Sequence, residues 1–137
     1  MVTFVIVSEY SQGPPIEFGR FKIGVGPLYD LARIQALVED ENNLLAWTKK
    51  SRDDVFKFFS GDYVEVADLI QRLKPQDYID SEWCENGKGQ VAACDAYSVL
   101  RIEELAATGR RATFEYFLKF AIGKTGILVL VVSCHAS

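Results

Sequence analysis

Three stretches in the C-terminal half of this chain constrain its fold most. Residues 90–99, 113–122 and 127–133 are each of strand length and are alternating or continuously apolar. The "GKTG" between the last two sets glycines on either side of two polar residues, which predicts an antiparallel hairpin. The run "ILVLVV", Ile127 to Val132, is short. A membrane-spanning helix needs about twenty apolar residues, so this run predicts a buried strand and no membrane segment. Strand alternation puts Val91, Ala93, Asp95, Tyr97 and Val99 on one face, with the small Ala92, Cys94, Ala96 and Ser98 on the other. In the next strand Phe114, Tyr116, Leu118 and Phe120 form an apolar face, and Glu115, Phe117 and Lys119 point away from it. In the last, His135 continues the face of Ile127, Val129, Val131 and Ser133.

The N-terminal half reads differently. Residues 2–7 and 16–23 are strand-like and flank the turn cluster "SQGPP", which predicts a strand hairpin. That hairpin forms an extension over residues 1–26, ahead of a core over 27–137. From Leu28 to Val38 the apolar residues fall at helical spacing, with Pro27 suited to the first turn and Asp30 to the positive end of the dipole. "LLAWT" is a candidate strand, and Ser51 with Asp54 caps a short helix through Phe58 and Phe59. Asp62 and Glu65 form a capping box for a helix with a buried stripe of Tyr63, Val66, Ile70 and Leu73, stopped by Pro75. Helices early and strands late predict an α+β fold with an antiparallel sheet. At 137 residues the chain suits one domain with one core.

The net charge of −4 argues against a broadly basic nucleic-acid surface, though it leaves room for a local patch. Cys84, Cys94 and Cys134 are odd in number and lack a CxxC pair, which predicts reduced thiols and a cytoplasmic setting. Their spacing with His135 matches no zinc knuckle or finger, so neither a metal site nor a cofactor is expected. "GVGP" and "GKTG" lack the phosphate-loop pattern, and no nucleophile elbow is present. Asp95 and Tyr97 share an apolar face. They are either a structural hydrogen-bonded pair or part of a site, because an unpaired buried carboxylate is costly. Lys119 is either a solvated face residue or a cation presented on a functional face. His135 is the one histidine, and any acid–base step near neutral pH favours it.

The order of these signals, with "LKPQDYIDS", the "CDAY" strand, the "YFLKFAI" strand and a terminal "LVVSCH", resembles the motility quorum-sensing regulator (MqsR) toxins over about residues 28–135. The resemblance implies a RelE-like α+β toxin architecture and endoribonuclease activity on single-stranded mRNA. It also implies a bacterial toxin–antitoxin system with an antitoxin protein as partner. Asp95 and Tyr97 match the family pattern, and Lys119 keeps its lysine. Asp80 stands where the family carries lysine, Cys94 where it carries glutamine, and Phe117 where it carries tyrosine. The candidate catalytic residues are Lys119 and Tyr97, which the resemblance carries over, and His135, which lies outside the family pattern and substitutes by its own chemistry in a remodelled site, with Asp95 structural or site-orienting. Arg101, Arg110 and Arg111 are the candidate RNA-binding cations, the last two in an inter-strand loop. Two other readings stay open. One is a non-catalytic interaction protein on the same scaffold, oligomeric through the N-terminal hairpin. The other is a small-molecule module lined by Trp47, Trp83 and phenylalanines.

Overall fold

The computed structural model describes residues 4–15 and 21–137. Seven strands occur among them: β1 (Val5–Ile6), β2 (Phe21–Ile23), β3 (Leu44–Ala46), β4 (Tyr78–Glu85), β5 (Gln90–Glu104), β6 (Arg111–Ile122) and β7 (Val129–Ala136). Three helices accompany them: α1 (Leu31–Leu37), α2 (Lys49–Phe59) and α3 (Tyr63–Arg72). The sheet runs β2-β4-β5-β6-β7-β3, with β1 parallel to the first residues of β5. The central pairings are antiparallel and β3 is parallel to β7, which makes an α+β fold with a mixed, largely antiparallel sheet.

The N-terminal hairpin is a correction. Val5–Ile6 pairs with Gln90 and Val91, and Phe21–Ile23 pairs with Ser81 to Trp83; the two strands do not pair with each other. The rest of the expected hairpin, residues 2–3 and 16–20, lies outside the described residues. The physical reason is the apolar face of Trp83, Val91 and Ala93, which needs covering. Phe4, Ile6, Phe21 and Ile23 pack there.

Helix ends shift for identifiable reasons. α1 starts at Leu31 with Asp30 as N-cap, so Pro27 lies outside it. α2 is capped by Thr48, and Ser51 sits one turn inside as the other half of a capping box. α3 is capped by Asp62, whose carboxylate accepts from Val64 N instead of closing the expected box with Glu65, and Val66, Leu69 and Ile70 form its buried stripe. Tyr63 lies outside that stripe, among the exposed residues. These stripes close over one sheet face in a core with Phe59, Tyr97, Leu118, Phe120 and Ile122. Each fully buried side chain of this size contributes about 1.5–3 kcal/mol.

Asp95 fixes the entry to α1. Its carboxylate accepts from Leu28 N at 2.9 Å, from Tyr29 N at 3.1 Å and from Ser81 Oγ at 2.6 Å. The preceding turn comes so close to β4 that a Cβ at Gly26 would lie 2.5 Å from Ser81 Oγ. Burial pushes the Asp95 carboxyl above its ordinary range, and these three donors work against that rise.

Two register breaks shape the other face of the sheet. On β4, Tyr78 pairs with Tyr97 but Asp80 pairs with Ala96, leaving Ile79 as an extra residue. On β7, Ser133 pairs with Lys119 but Val131 pairs with Phe120, leaving Val132 as an extra residue. Each extra residue flips the alternation. His135 therefore does not continue the Val129–Val131 face, because the bulge at Val132 turns it to the side of Phe117 and Lys119. Along its outer edge β7 is satisfied by α2: Thr48 Oγ1 donates to Val132 O at 2.6 Å, and Cys134 N donates to Asp54 Oδ2 at 3.0 Å.

Replacing Asp95 with alanine leaves the two backbone N–H groups of Leu28 and Tyr29 without their acceptor. The expected loss is about 3 kcal/mol, read by urea denaturation; a loss under about 1 kcal/mol would contradict the assigned role.

Candidate functional site

The face opposite the helices carries a cleft of about 330 Å³. It is lined by Ile79, Asp80, Ala96, Tyr97, Phe117, Leu118, Lys119, Ser133 and His135. Four strands contribute, β4 to β7, and the two bulges decide which side chains arrive. Without the one at Ile79, Asp80 would share a face with Tyr78. Without the one at Val132, His135 would face the helices. The small Ala96 in its wall leaves space that a larger side chain would fill.

Lys119 reaches from β6 across β5 to Glu82 on β4 and forms an ion pair with its carboxylate. Lys22 from β2 approaches the other Glu82 oxygen at 3.1 Å and also pairs with Asp80. Glu82 is buried. Burial works to raise its carboxyl, but Lys119 and then Lys22 outweigh it, and the net position is below the ordinary 4.5. The Lys119 charge is thus largely spent inside the protein.

His135 stacks on Phe117, with ring centroids 5.5 Å apart and planes at 28°. Its Nδ1 is buried and has no hydrogen-bond partner. Desolvation, then Lys50, then Lys119 hold the imidazole below its ordinary 6.5, with Asp54 pulling the other way. At neutral pH it is an uncharged base beside a cation, and with Nδ1 enclosed, Nε2 is the nitrogen left to meet a ligand.

Residues far apart in sequence, Asp80, Phe117, Lys119 and His135, therefore share one cleft. Tyr97 contributes to the wall, but its ring lies in the core, stacked on Phe120 at 5.4 Å and edge-on to Tyr78 at 5.7 Å. Burial, with Asp95 and Tyr78 adding to it, pushes its phenol up to about 12, so it keeps its proton. Asp95 is on the helix side of the sheet, orienting α1. Arg101 is on that side too: it is held by Glu103, lies 5.0 Å over the Tyr116 ring and stands 3.9 Å from Glu65. Arg110 is exposed in the turn, whereas Arg111 opens β6 instead of lying in the loop. Eight residue steps along the strand separate Arg111 from Lys119, which is ~26 Å at the usual rise.

Glu82, Lys22 and Lys50 were not singled out in the sequence. Glu82 was detectable, because "YIDSEWCE" has strand character and would place it across β5 from Lys119. Among the described residues no group of three His, Cys, Asp or Glu is placed to hold a metal ion, and no helix is long and apolar enough to cross a membrane. Compared with protein-family models, curated proteins and solved structures, the chain matches none of them.

Lys119→Ala leaves a buried carboxylate with Lys22 alone. The expected cost is ~3 kcal/mol at neutral pH, measured by denaturant titration. Because the Glu82 carboxyl sits below its ordinary 4.5, the stability it lends is present above that pH and lost as pH falls through its lowered value. The cost of the substitution therefore shrinks in acid. A cost that is the same at both ends of the range would contradict this pairing.

Proposed function

We propose that this chain is a toxin-like endoribonuclease acting on single-stranded mRNA, with the cleft between β4 and β7 as its site. One observation carries the reading: Lys119 and His135, a cation and an imidazole, meet in one cleft with Asp80 and Phe117. RNA can be cleaved by its own 2′-hydroxyl. In this reading His135 Nε2 takes the hydroxyl proton, the 2′-oxygen bonds to phosphorus, and the bond to the 5′-oxygen breaks. The imidazolium then returns a proton to the departing 5′-oxygen, leaving a cyclic phosphate and a free hydroxyl. Lys119 lies where negative charge develops on the phosphate. Phe117, already stacked on His135, offers a ring for a base. Asp95 orients the scaffold, Tyr97 supports the wall, and Arg110 and Arg111 lie out along the ribbon where a longer RNA would pass. An antitoxin protein is the implied partner.

A second reading is favoured by Glu82. With Lys119 neutralised by a buried carboxylate and Asp80 on the rim, the cleft repels phosphate more than an active nuclease site should. In that reading the scaffold is kept for protein interaction and cleaves nothing.

Purified protein incubated with a long single-stranded RNA separates the two. The nuclease reading expects cleavage reduced at least ~100-fold in His135→Ala. The rate should also fall as pH drops below 6.5 through the lowered His135 value, where the base becomes protonated. The double variant Asp80→Lys with Phe117→Tyr should cleave faster than the wild type. RNA left intact by both the wild type and that variant would sink the nuclease reading.

A further inference from the structure

The β5–β6 ribbon continues past the end of β4. β4 pairs with β5 only as far as Tyr97, whereas β6 follows β5 to Glu104. From Leu100 onward, the side of β5 away from β6 is paired with no strand among the described residues. Successive residues of a strand direct their N–H and C=O groups to opposite sides. Odd-numbered residues of β5 point to the β6 side: Val7 N donates to Val91 O, and Leu105 N donates to Arg110 O. Even-numbered ones point to the β4 side, as Asn86 N donating to Gln90 O attests. The alternation thus turns the N–H and C=O of Leu100, Ile102 and Glu104 toward the open edge. Leu100 and Ile102 are 64% and 65% exposed, although they lie within a strand. No proline or bulge blunts this edge, which is the usual protection against pairing. A hollow of about 620 Å³ lies beside it, between Val99 and Leu100 on one wall and Leu73, Gln76 and Asp77 on the other.

We propose that this edge pairs antiparallel with the same edge of a second copy, about a two-fold axis at Ile102, joining two sheets into one. Charge and geometry select both the occupant and the register. Hydrogen bonding requires even-numbered residues to face even-numbered ones. An axis at Arg101 would set two guanidinium groups opposite each other, and one at Glu103 would do the same with two carboxylates. An axis at Leu100 drives the incoming strand toward β4, which already occupies the edge at Tyr97. With the axis at Ile102, each Arg101, already paired with its own Glu103, also faces the second copy's Glu103, twice over, in the close non-hydrogen-bonded positions, so that cations and carboxylates alternate across the seam. Ile102 meets Ile102, and Leu100 packs on the stem of Glu104. The segment is complementary to itself. This surface is separate from the N-terminal strands, since β1 is consumed inside the sheet beside β5.

Sedimentation across a concentration series tests the pairing. The expected result is a dimer that dissociates on dilution, with Ile102→Lys raising the dissociation constant at least ~10-fold by setting two ammonium groups at the axis. The variant should keep the wild-type circular dichroism spectrum, because the side chain is solvated in the single copy. A second measurement does not depend on any variant: the amides of Leu100 and Ile102 should be protected from hydrogen exchange in concentrated wild-type protein and lose protection on dilution. A single copy persisting at hundreds of micromolar would overturn the proposal. So would a dimer indifferent to Ile102→Lys, or one in which those two amides exchange freely.

Discussion

A buried carboxylate must find partners, and this sheet carries two of them back to back. Asp95 and Glu82 lie on paired strands one register step apart, since Ser81 pairs with Asp95 and Glu82 with Cys94. Asp95 faces the helices and collects two backbone N–H groups and a hydroxyl, which fixes where α1 begins. Glu82 faces the opposite side and collects Lys119 and Lys22. Between them they tie β2, β4, β5, β6 and the α1 turn together. Neither pairing needs to add net stability over an apolar substitute; what each does is make alternative registers costly, because slipping a strand would strand a charge.

The same requirement sets the character of the cleft. The bulges at Ile79 and Val132 bring Asp80 and His135 to the face where Lys119 emerges, so residues from separate strands converge. Convergence does not by itself make an electropositive site. Lys119 is bound to Glu82, Lys22 to Glu82 and Asp80, and Lys50 to Asp54. What remains for chemistry is a neutral imidazole stacked on a phenyl ring, with a cation behind it whose charge is shared. Glu82 is therefore the side chain that most determines what the cleft attracts.

Much of the fold was legible in the sequence because it rests on period and punctuation. The strand pattern of "QVAACDAYSV" and "TFEYFLKFAI", the "GKTG" hairpin and the Asp62 cap each express a local rule that the tertiary structure leaves intact. What was not legible depends on partners distant along the chain. The N-terminal segments alternate like a hairpin, but they separate to cover Trp83 and Val91. A bulge leaves no mark in a period of two, so the reversal at Val132 that re-aims His135 could not be read from "LVLVVSCH". Arg101 looked like a free cation because the Tyr116 and Phe59 rings it lies over come from other elements, although its carboxylate partner Glu103 is only two residues along the same strand. Lys119 and His135 were legible as candidates by chemical type, while the carboxylate that restrains Lys119 lay in a strand the pattern had left unassigned.

The claim that the cleft is one electrostatic unit governed by Glu82 is tested most directly by the titration of the His135 imidazole, followed by nuclear magnetic resonance in the wild type and in Glu82→Gln. The wild-type midpoint should fall below 6.5. Releasing Lys119 from its carboxylate should move the midpoint lower still, because the uncompensated ammonium disfavours the imidazolium. A midpoint that stays in place or rises in Glu82→Gln would contradict the account.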